Sequence, residues 1–576
     1  MIATAPTKSV RAFSVLRASP APDLAYFRRR YPETVASLGA LPRREEWLRN
    51  IWELEARWRK VWETRGGGHV LEEAVVRGAP PAGHVAEAEF DVIYAGGAAA
   101  LLHASALAFR HERRVLVLCA GAFAGGGDNW NLSDEELREL GRAGVFTREE
   151  VEAAVLSRYR GGFLKFHDAA SRVKAEPLWV SGALDVSVDA GRLVALAAER
   201  LRRQRGCAAL EGLRLMRAYV EPTRVTVEAE GAGGQRRFFA ARLFADACGT
   251  DSAVARQLNG GLAPAHVCTT VGTLARGFAR GAVDFGAGEI LVSTEDASEH
   301  RQLFWQGSAS APARDEYATS LFFYDSVDSP ADKSLLSLFE RYFATLPAYK
   351  QRGAGWRVER PTFGYFPVSR RQDRRSRART SDERVLLLGE VAGGAGVLAS
   401  RRFGAHARNL SRAARLTHLA LEADLTDAGA LAQIFNAGPR VAGAIGLAEF
   451  MRPAPKSAPQ SVNETLNALM AALAGLDERV RRELFQGRMT LAALRRLVAR
   501  TARLYPRVFA RVREHFGARG TLLWLAGVAE AVWSDGRSRR AASRGGDDGR
   551  QTEDPARQFA RLAATYQNGD GAGGSR

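Results

Sequence analysis

The chain has few cysteines and no long apolar run. Its four thiols, Cys119, Cys207, Cys248 and Cys268, fall at none of the spacings that bind a metal or build a disulfide framework. That excludes a zinc module and points to a reducing compartment. The longest apolar candidate, Ile93 to Phe109, falls short of the roughly eighteen residues a membrane span needs, so a soluble or peripheral protein is expected. No acidic residue precedes Asp23. The segment MIATAPTKSVRAFSVLRASPAP, with Lys8, Arg11 and Arg17, has the composition of an organelle transit peptide or of a disordered bacterial N-terminus. A nucleic-acid module is missing as well. The net charge of +18 comes from Arg scattered among Glu and Asp on helix faces, so no nucleic-acid partner is expected.

What is present is a large globular chain. With 576 residues and 46% hydrophobic content it can bury about two to four structural units. Residues 90 to 119, FDVIYAGGAAALLHASALAFRHERRVLVLC, read as strand, glycine turn, helix and strand, the opening unit of a dinucleotide-binding fold. In G-x-G-x-x-G the glycines serve the tight turn, the approach of a pyrophosphate and close helix packing. Here the three positions are Ala95, Gly97 and Ala100, with Gly96 between the first two. Ala95 adds a methyl where the turn is demanding. Cys119 replaces the acid that should end the second strand and hold the adenosine ribose. Alone, the turn fits an ordinary buried βα unit as well as a cofactor site.

The remaining segments set the organisation. Residues 1–39 read as a disordered or transit-like segment and 40–89 as an N-terminal helical segment, where Trp47, Trp52, Trp58 and Trp62 form a packing stripe. Residues 90–265 and 381–450 form the two parts of a cofactor-binding domain, separated by a β-rich substrate domain at 266–380. Residues 451–533 are a helical region and 534–576 a disordered tail. Capping boxes start helices at Ser133 with Glu136 and at Thr147 with Glu150. Strands are predicted at Arg224–Glu228, Arg237–Asp246 and Arg384–Gly389, with helices over 189–203 and from near Phe403. Leu466, Leu469, Met470 and Leu473 form one apolar face of the helical region, and Leu491, Leu494, Leu497 and Val498 another. TLLWLAGVAEAVW, from Thr521, is either an interfacial helix anchored by Trp524 and Trp533 or a core helix.

Three segments line up as contacts of one cofactor: the glycine turn, ARLFADACGTDS with Asp246 and Gly249, and RVLLLGEVAGGAG with Gly389, Glu390, Gly393 and Gly394. The chain here resembles the flavin-dependent lycopene cyclases of the CruA/CruP type, found in photosynthetic bacteria and as a plastid paralogue. The likeness runs from about residue 45 to about residue 533 through WNLS at Trp130–Ser133, DACGTDS at Asp246–Ser252, VCTTVGTLARGF at Val267–Phe278, LFW at Leu303–Trp305, FGYFP at Phe363–Pro367 and FGAHARNL at Phe403–Leu410. It implies an α/β fold with a doubly wound Rossmann-like FAD domain, a β-rich substrate domain and a C-terminal helical region near a membrane. It further implies reduced FAD, NADPH as electron donor, and a non-redox cyclisation of lycopene or a related carotenoid. A plastid location follows if the N-terminus is a transit peptide, and otherwise the membrane face of a bacterial cytoplasm.

Cyclisation needs a proton donor, a stabilised carbocation and a base, which a buried carboxylate and an electron-rich flavin suit. The family's glutamate after the tryptophan is here Gln306, which performs neither proton step. Trp305 offers a ring face to a cation or simply packs in the core. The family's Asp in the Gly-Asp pair is Glu390, and its Gly-Gly before Phe403-Gly404 is Arg401-Arg402. These arginines either crowd the ring or hold the pyrophosphate. Three readings therefore stand: a divergent cyclase, an FAD-dependent oxidoreductase or monooxygenase on a hydrophobic substrate, and a non-catalytic paralogue that keeps the scaffold.

Overall fold

The computed structural model describes residues 22–63, 73–123, 129–249, 252–260, 266–368, 379–389, 402–435, 450–454, 457–486, 489–514, 517 and 554–566. The first unit is laid down by β1 (Glu89–Gly96), α1 (Ala98–His111), β2 (Val115–Cys119), α2 (Ala190–Arg203), β3 (Ala208–Glu211) and β4 (Arg236–Ala247). Val92 to Ala95 and all of β2 are buried, the continuous apolar run of strands covered on both faces. α1 is mostly Ala and Leu, strong helix formers, and α2 begins where the Asp189 side chain accepts the Arg192 amide at 2.9 Å.

The chain then builds a second sheet from β5 (His266–Phe278), β6 (Gly288–Val292), β7 (Phe304–Ala311), β8 (Glu316–Ser326), α3 (Leu335–Tyr349) and β9 (Arg352–Val368). It returns to the first sheet with β10 (Val385–Leu387), followed by α4 (Arg402–Glu422). Parallel pairing gives the order β10, β4, β1, β2, β3. The first half of β4 also closes an antiparallel meander with Val225–Glu230 and Arg214–Val220. The second sheet runs β9, β5, β8, β7, β6 and ends on Gly162–Lys165 and Leu178–Val180, two strands that come from within the 90–265 stretch. This is the α/β architecture expected from the sequence, a Rossmann-like parallel sheet with a β-rich partner and C-terminal helices.

Alternation sorts each sheet's residues into two cores. Val92, Tyr94, Val117 and Leu243 pack under α1, α2 and α4, while Ile93, Ala95, Leu116 and Phe244 face the meander. On the second sheet, Trp305, Phe323 and Tyr365 face α3 and the N-terminal helices. Phe304, Phe322 and Leu291 face Leu466, Met470, Leu473, Leu494 and Leu497 of the C-terminal helices Ser461–Ala474 and Leu491–Leu504. Val498 instead stands exposed. The tryptophan stripe is packing, as expected. Trp47 meets Phe363 edge-on at 6.5 Å and Trp58 lies 5.2 Å from Tyr365.

Both capping boxes form as the sequence predicts, at Ser133 with Glu136 and Thr147 with Glu150. Two expectations of disorder are corrected. Helices Leu24–Arg30 and Pro32–Ser37 bury Phe27 and Val35, and the Glu340 carboxylate on α3 accepts the amides of Glu33 and Thr34, each at 2.9 Å. In the tail, Pro555–Tyr566 is a helix that inserts Phe559 and Ala563 into the core under α4. An i, i+4 apolar pair inside a polar stretch is too short to register as a periodic pattern. Among the described residues, no helix is long and apolar enough to cross a membrane. The Thr521–Trp533 segment lies outside them.

Candidate functional site

The carboxyl edge of the parallel sheet is the place to look for a ligand, because strand ends and a helix start converge there. The turn glycine proves to be Gly96 and not the first motif position. Gly96 has φ +138°, and a methyl placed on it would lie 2.2 Å from the Ala247 carbonyl oxygen on β4. Ala95 is an ordinary strand residue in register with Asp246, its methyl buried in the core, so an alanine there costs nothing. Gly97 is the N-cap of α1, with no side-chain cap and no acid in the first turn. Among the described residues, nothing lies within 4 Å of where its Cβ would be. The first-turn amides lie at the positive end of a helix dipole, with no side chain capping them. Ala100 is fully buried and permits the close packing of α1 expected of the third motif position.

Two further segments reach the same edge. Asp246 is buried, and its carboxylate accepts the Ser252 hydroxyl and the Cys248 amide, the latter at 3.0 Å. Burial raises its pKa above the usual carboxylate range. It shapes the loop that carries Gly249, which has φ +78° and, among the described residues, nothing within 4 Å of its Cβ position. The Leu388 amide bonds the Asp246 carbonyl at 2.8 Å. Gly389, at φ +72°, sits so that a Cβ would lie 3.2 Å from the Ala99 methyl, which brings the segment after β10 against the first turn of α1. Glu390, Gly393, Gly394 and Arg401 lie outside the described residues, as does the side chain of Arg402, whose backbone opens α4.

Gly404 has a different role from the one its motif implies. A methyl there would fall 2.4 Å from the Glu136 carboxylate, which is buried, caps Ser133 and pairs with Arg408. The glycine admits a buried carboxylate between α4 and the Asp134–Arg142 helix. Cys119 ends β2 with its thiol pushed up in pKa by burial and then by the nearby Glu211 charge, so it carries no charge with which to hold a ribose.

Between the two sheets runs the strand Asn129–Leu132. Trp130 stacks on Phe403 at 3.7 Å, while Asn131 donates to the Ser308 hydroxyl at 3.1 Å and accepts from Tyr159 at 3.3 Å. Beside it is a small hollow of about 30 Å³ lined by Asn131, Leu184, Glu289, Ile290, Gln306 and Ser308. Gln306 donates its amide to the Ile290 carbonyl at 3.1 Å. Trp305 points to the opposite face, buried and stacked on Tyr349 at 4.6 Å, which is a packing position. The two residues named by the motif are therefore not brought together on one surface.

The hollow is bordered by an acidic residue that the motif reading missed. Glu289, in register with Gly307, is buried and receives the Lys350 ammonium, the Tyr349 hydroxyl and, at 3.4 Å, the Tyr317 hydroxyl. Gly307 makes the room, since a Cβ there would lie 2.6 Å from the Tyr349 hydroxyl. Burial, followed by the Glu289 charge, holds both tyrosines well above the usual phenol range. An acid in the middle of the apolar strand GEILV was the available signal, because an isolated charge in a buried strand needs a partner.

No protein-family model matches the chain, and no curated protein matches it. Among solved structures it is similar to a geranylgeranyl bacteriochlorophyll reductase-like protein from Thermoplasma acidophilum, 13% identical, covering 74% of this chain and 99% of that one at a TM-score of 0.48. It is also similar to the halogenase PltM in complex with phloroglucinol and FAD, at 14% identity, 83% and 96% coverage and a TM-score of 0.49. A third is p-nitrophenol 4-monooxygenase PnpA from Pseudomonas putida, at 14% identity, 71% and 98% coverage and a TM-score of 0.49. At such identities a likeness is silent on substrate and reaction.

Proposed function

We propose that this chain binds FAD along the carboxyl edge of the parallel sheet and acts as an FAD-dependent oxidoreductase or monooxygenase. The observation that carries this reading is the start of α1, an acid-free helix terminus with no side-chain cap and, among the described residues, nothing within 4 Å of the Gly97 Cβ position. Such a terminus suits a pyrophosphate, because unpaired amides and the helix dipole both favour an anion. Gly97 and the amides of Ala98 and Ala99 would hold the pyrophosphate, with Gly249 and Gly389 admitting the cofactor close to backbone. When bound, FAD supplies hydride and one-electron chemistry.

The protein's own contribution is the junction between the sheets. Leu184 and Ile290 put aliphatic surface beside Asn131, Gln306 and Ser308, while Trp130 stacks on Phe403 on the other face of its strand. The hollow would take only the polar end of a substrate, whose apolar body would lie outside it. The test is NADPH oxidation by the FAD-loaded protein across aromatic and isoprenoid substrates. Consumption that depends on substrate supports the redox reading.

A second reading, non-redox cyclisation of lycopene, is favoured by one observation. Glu289 borders the same hollow as Gln306, although its carboxylate is held on the Tyr349 and Lys350 side of the sheet. A carotenoid product isomeric with lycopene, formed on reduced FAD without stoichiometric NADPH consumption, would select it over the first. If neither substrate turnover nor flavin uptake is found, the chain is a scaffold without catalysis.

A further inference from the structure

The carboxyl edge of the sheet has lost its ribose acid at Cys119, yet the strand next to β2 ends in a carboxylate at the same level. Glu211 terminates β3 and is the register partner of Cys119. Its Oε1 accepts the Phe123 amide at 2.7 Å, so the carboxylate clasps the loop that leaves β2. Its Oε2 is met by the Arg202 guanidinium at 3.1 Å. The loops after the two strands are tied together as well, through the Leu213 amide to the Cys119 carbonyl at 3.0 Å. The Glu211 side chain is nonetheless 41% exposed. A carboxylate oriented from two sides and still open has lone pairs left for a further donor.

We infer that Glu211 is the acceptor for the adenosine ribose hydroxyls of the bound dinucleotide, one strand outward from the position such an acid ordinarily takes. This inference rests on the FAD reading above. A ribose offers two neighbouring hydroxyl donors, and a carboxylate is the side chain that takes both. The Cys119 thiol, neutral and a weak acceptor, cannot substitute, and its small volume leaves the end of β2 open for the sugar to reach past it. Arg202, which also bonds the Ala209 carbonyl at 3.2 Å, is a positioning residue that keeps Glu211 turned toward this edge.

The test compares FAD with FMN, which lacks the adenosine half, by equilibrium titration followed in flavin fluorescence. Glu211→Gln keeps the size and the acceptor for Phe123 but loses the charge. The expected result is FAD binding weakened about ten- to hundredfold, the range for a hydrogen bond to a charged group, with FMN binding within about twofold of the parent. Cys119→Asp in the Glu211→Gln background restores FAD affinity, whereas alone it gives no gain, since it sets two carboxylates side by side in register. Equal weakening of FAD and FMN by Glu211→Gln would overturn the inference and leave the residue a loop clasp. Tighter FAD binding by Cys119→Asp alone, with Glu211→Gln silent, would overturn it also. A parent protein that takes up neither flavin would instead overturn the FAD reading itself.

Discussion

Gly96 lies so close to Ala247 that a methyl on the glycine would sit 2.2 Å from the alanine's carbonyl oxygen. The contact joins β1 to β4 at the point where α1 departs, so the glycine fixes both the strand pairing and the exit of the chain into α1.

Gly96→Ala should therefore destabilise the protein by at least about 3 kcal/mol, adding backbone strain at φ +138° to a steric clash with main chain. Ala95→Gly, one residue earlier, should cost less, about 1–2 kcal/mol, from added chain entropy and the lost burial of one methyl. Urea unfolding of the two variants checks the contrast.

Glu289 is buried and pairs with the largely buried Lys350, and removing one charge strands the other. Glu289→Gln is expected to cost about 3–5 kcal/mol, while Glu289→Gln combined with Lys350→Met should recover a substantial part of the loss. A double-mutant cycle in thermal unfolding measures it, and simple additivity would contradict the pairing.

Gly404→Ala places a methyl against the Glu136 carboxylate and is expected to lower stability by about 1–3 kcal/mol, the usual cost of overpacking. The accompanying Glu136→Ala exchange should relieve the clash but lose the Ser133 cap and the Arg408 pair. A purely cofactor role for Gly404 would instead leave the flavin-free protein's stability unchanged by Gly404→Ala.

Acid should unfold the protein through its interior histidines. Burial lowers His103 to about 3 and His406 to about 4, below the value of about 6.5 in an unfolded chain. The unfolded state thus takes up protons first. The stability from keeping these rings neutral is full above about pH 6.5 and is lost as pH falls toward 4 and 3, by about 1.4 kcal/mol per unit for each group. His103 Nδ1 is 2.9 Å from the Tyr94 hydroxyl, so Tyr94→Phe with His103→Phe removes the pair together and should flatten the acid limb. Denaturant midpoints between pH 4 and 8 test it.

Local features were legible in the sequence because they depend on residues a few positions apart. The boxes at Ser133 and Thr147 and the stripe from Trp47 to Trp62 belong to this class, as does the strand-turn-helix of residues 90 to 119. What escaped reading depends on distant partners. Gly96 could not be preferred over Ala95 without knowing that Ala247 comes to it, and Gly404 reads as a cofactor glycine until Glu136 is placed against it. Glu289 gains its meaning only when Gly307, Tyr349 and Lys350 arrive from other strands and from the end of α3. The helix at Pro555 was hidden because its two buried residues pack on α4, more than a hundred positions earlier.

The central claim is that the start of α1 receives a flavin pyrophosphate. The direct measurement is the visible absorption spectrum of the purified protein equilibrated with FAD and freed of excess, beside that of Ala98→Asp. An acid in the first turn of a helix favours the helix dipole, so the variant should fold at least as stably as the parent, while its carboxylate occupies and repels the anion site. The account predicts a stoichiometric flavin spectrum that bleaches on anaerobic reduction in the parent, and its loss in the variant. A folded parent that takes up no FAD, or a variant that keeps its flavin unchanged, would contradict it.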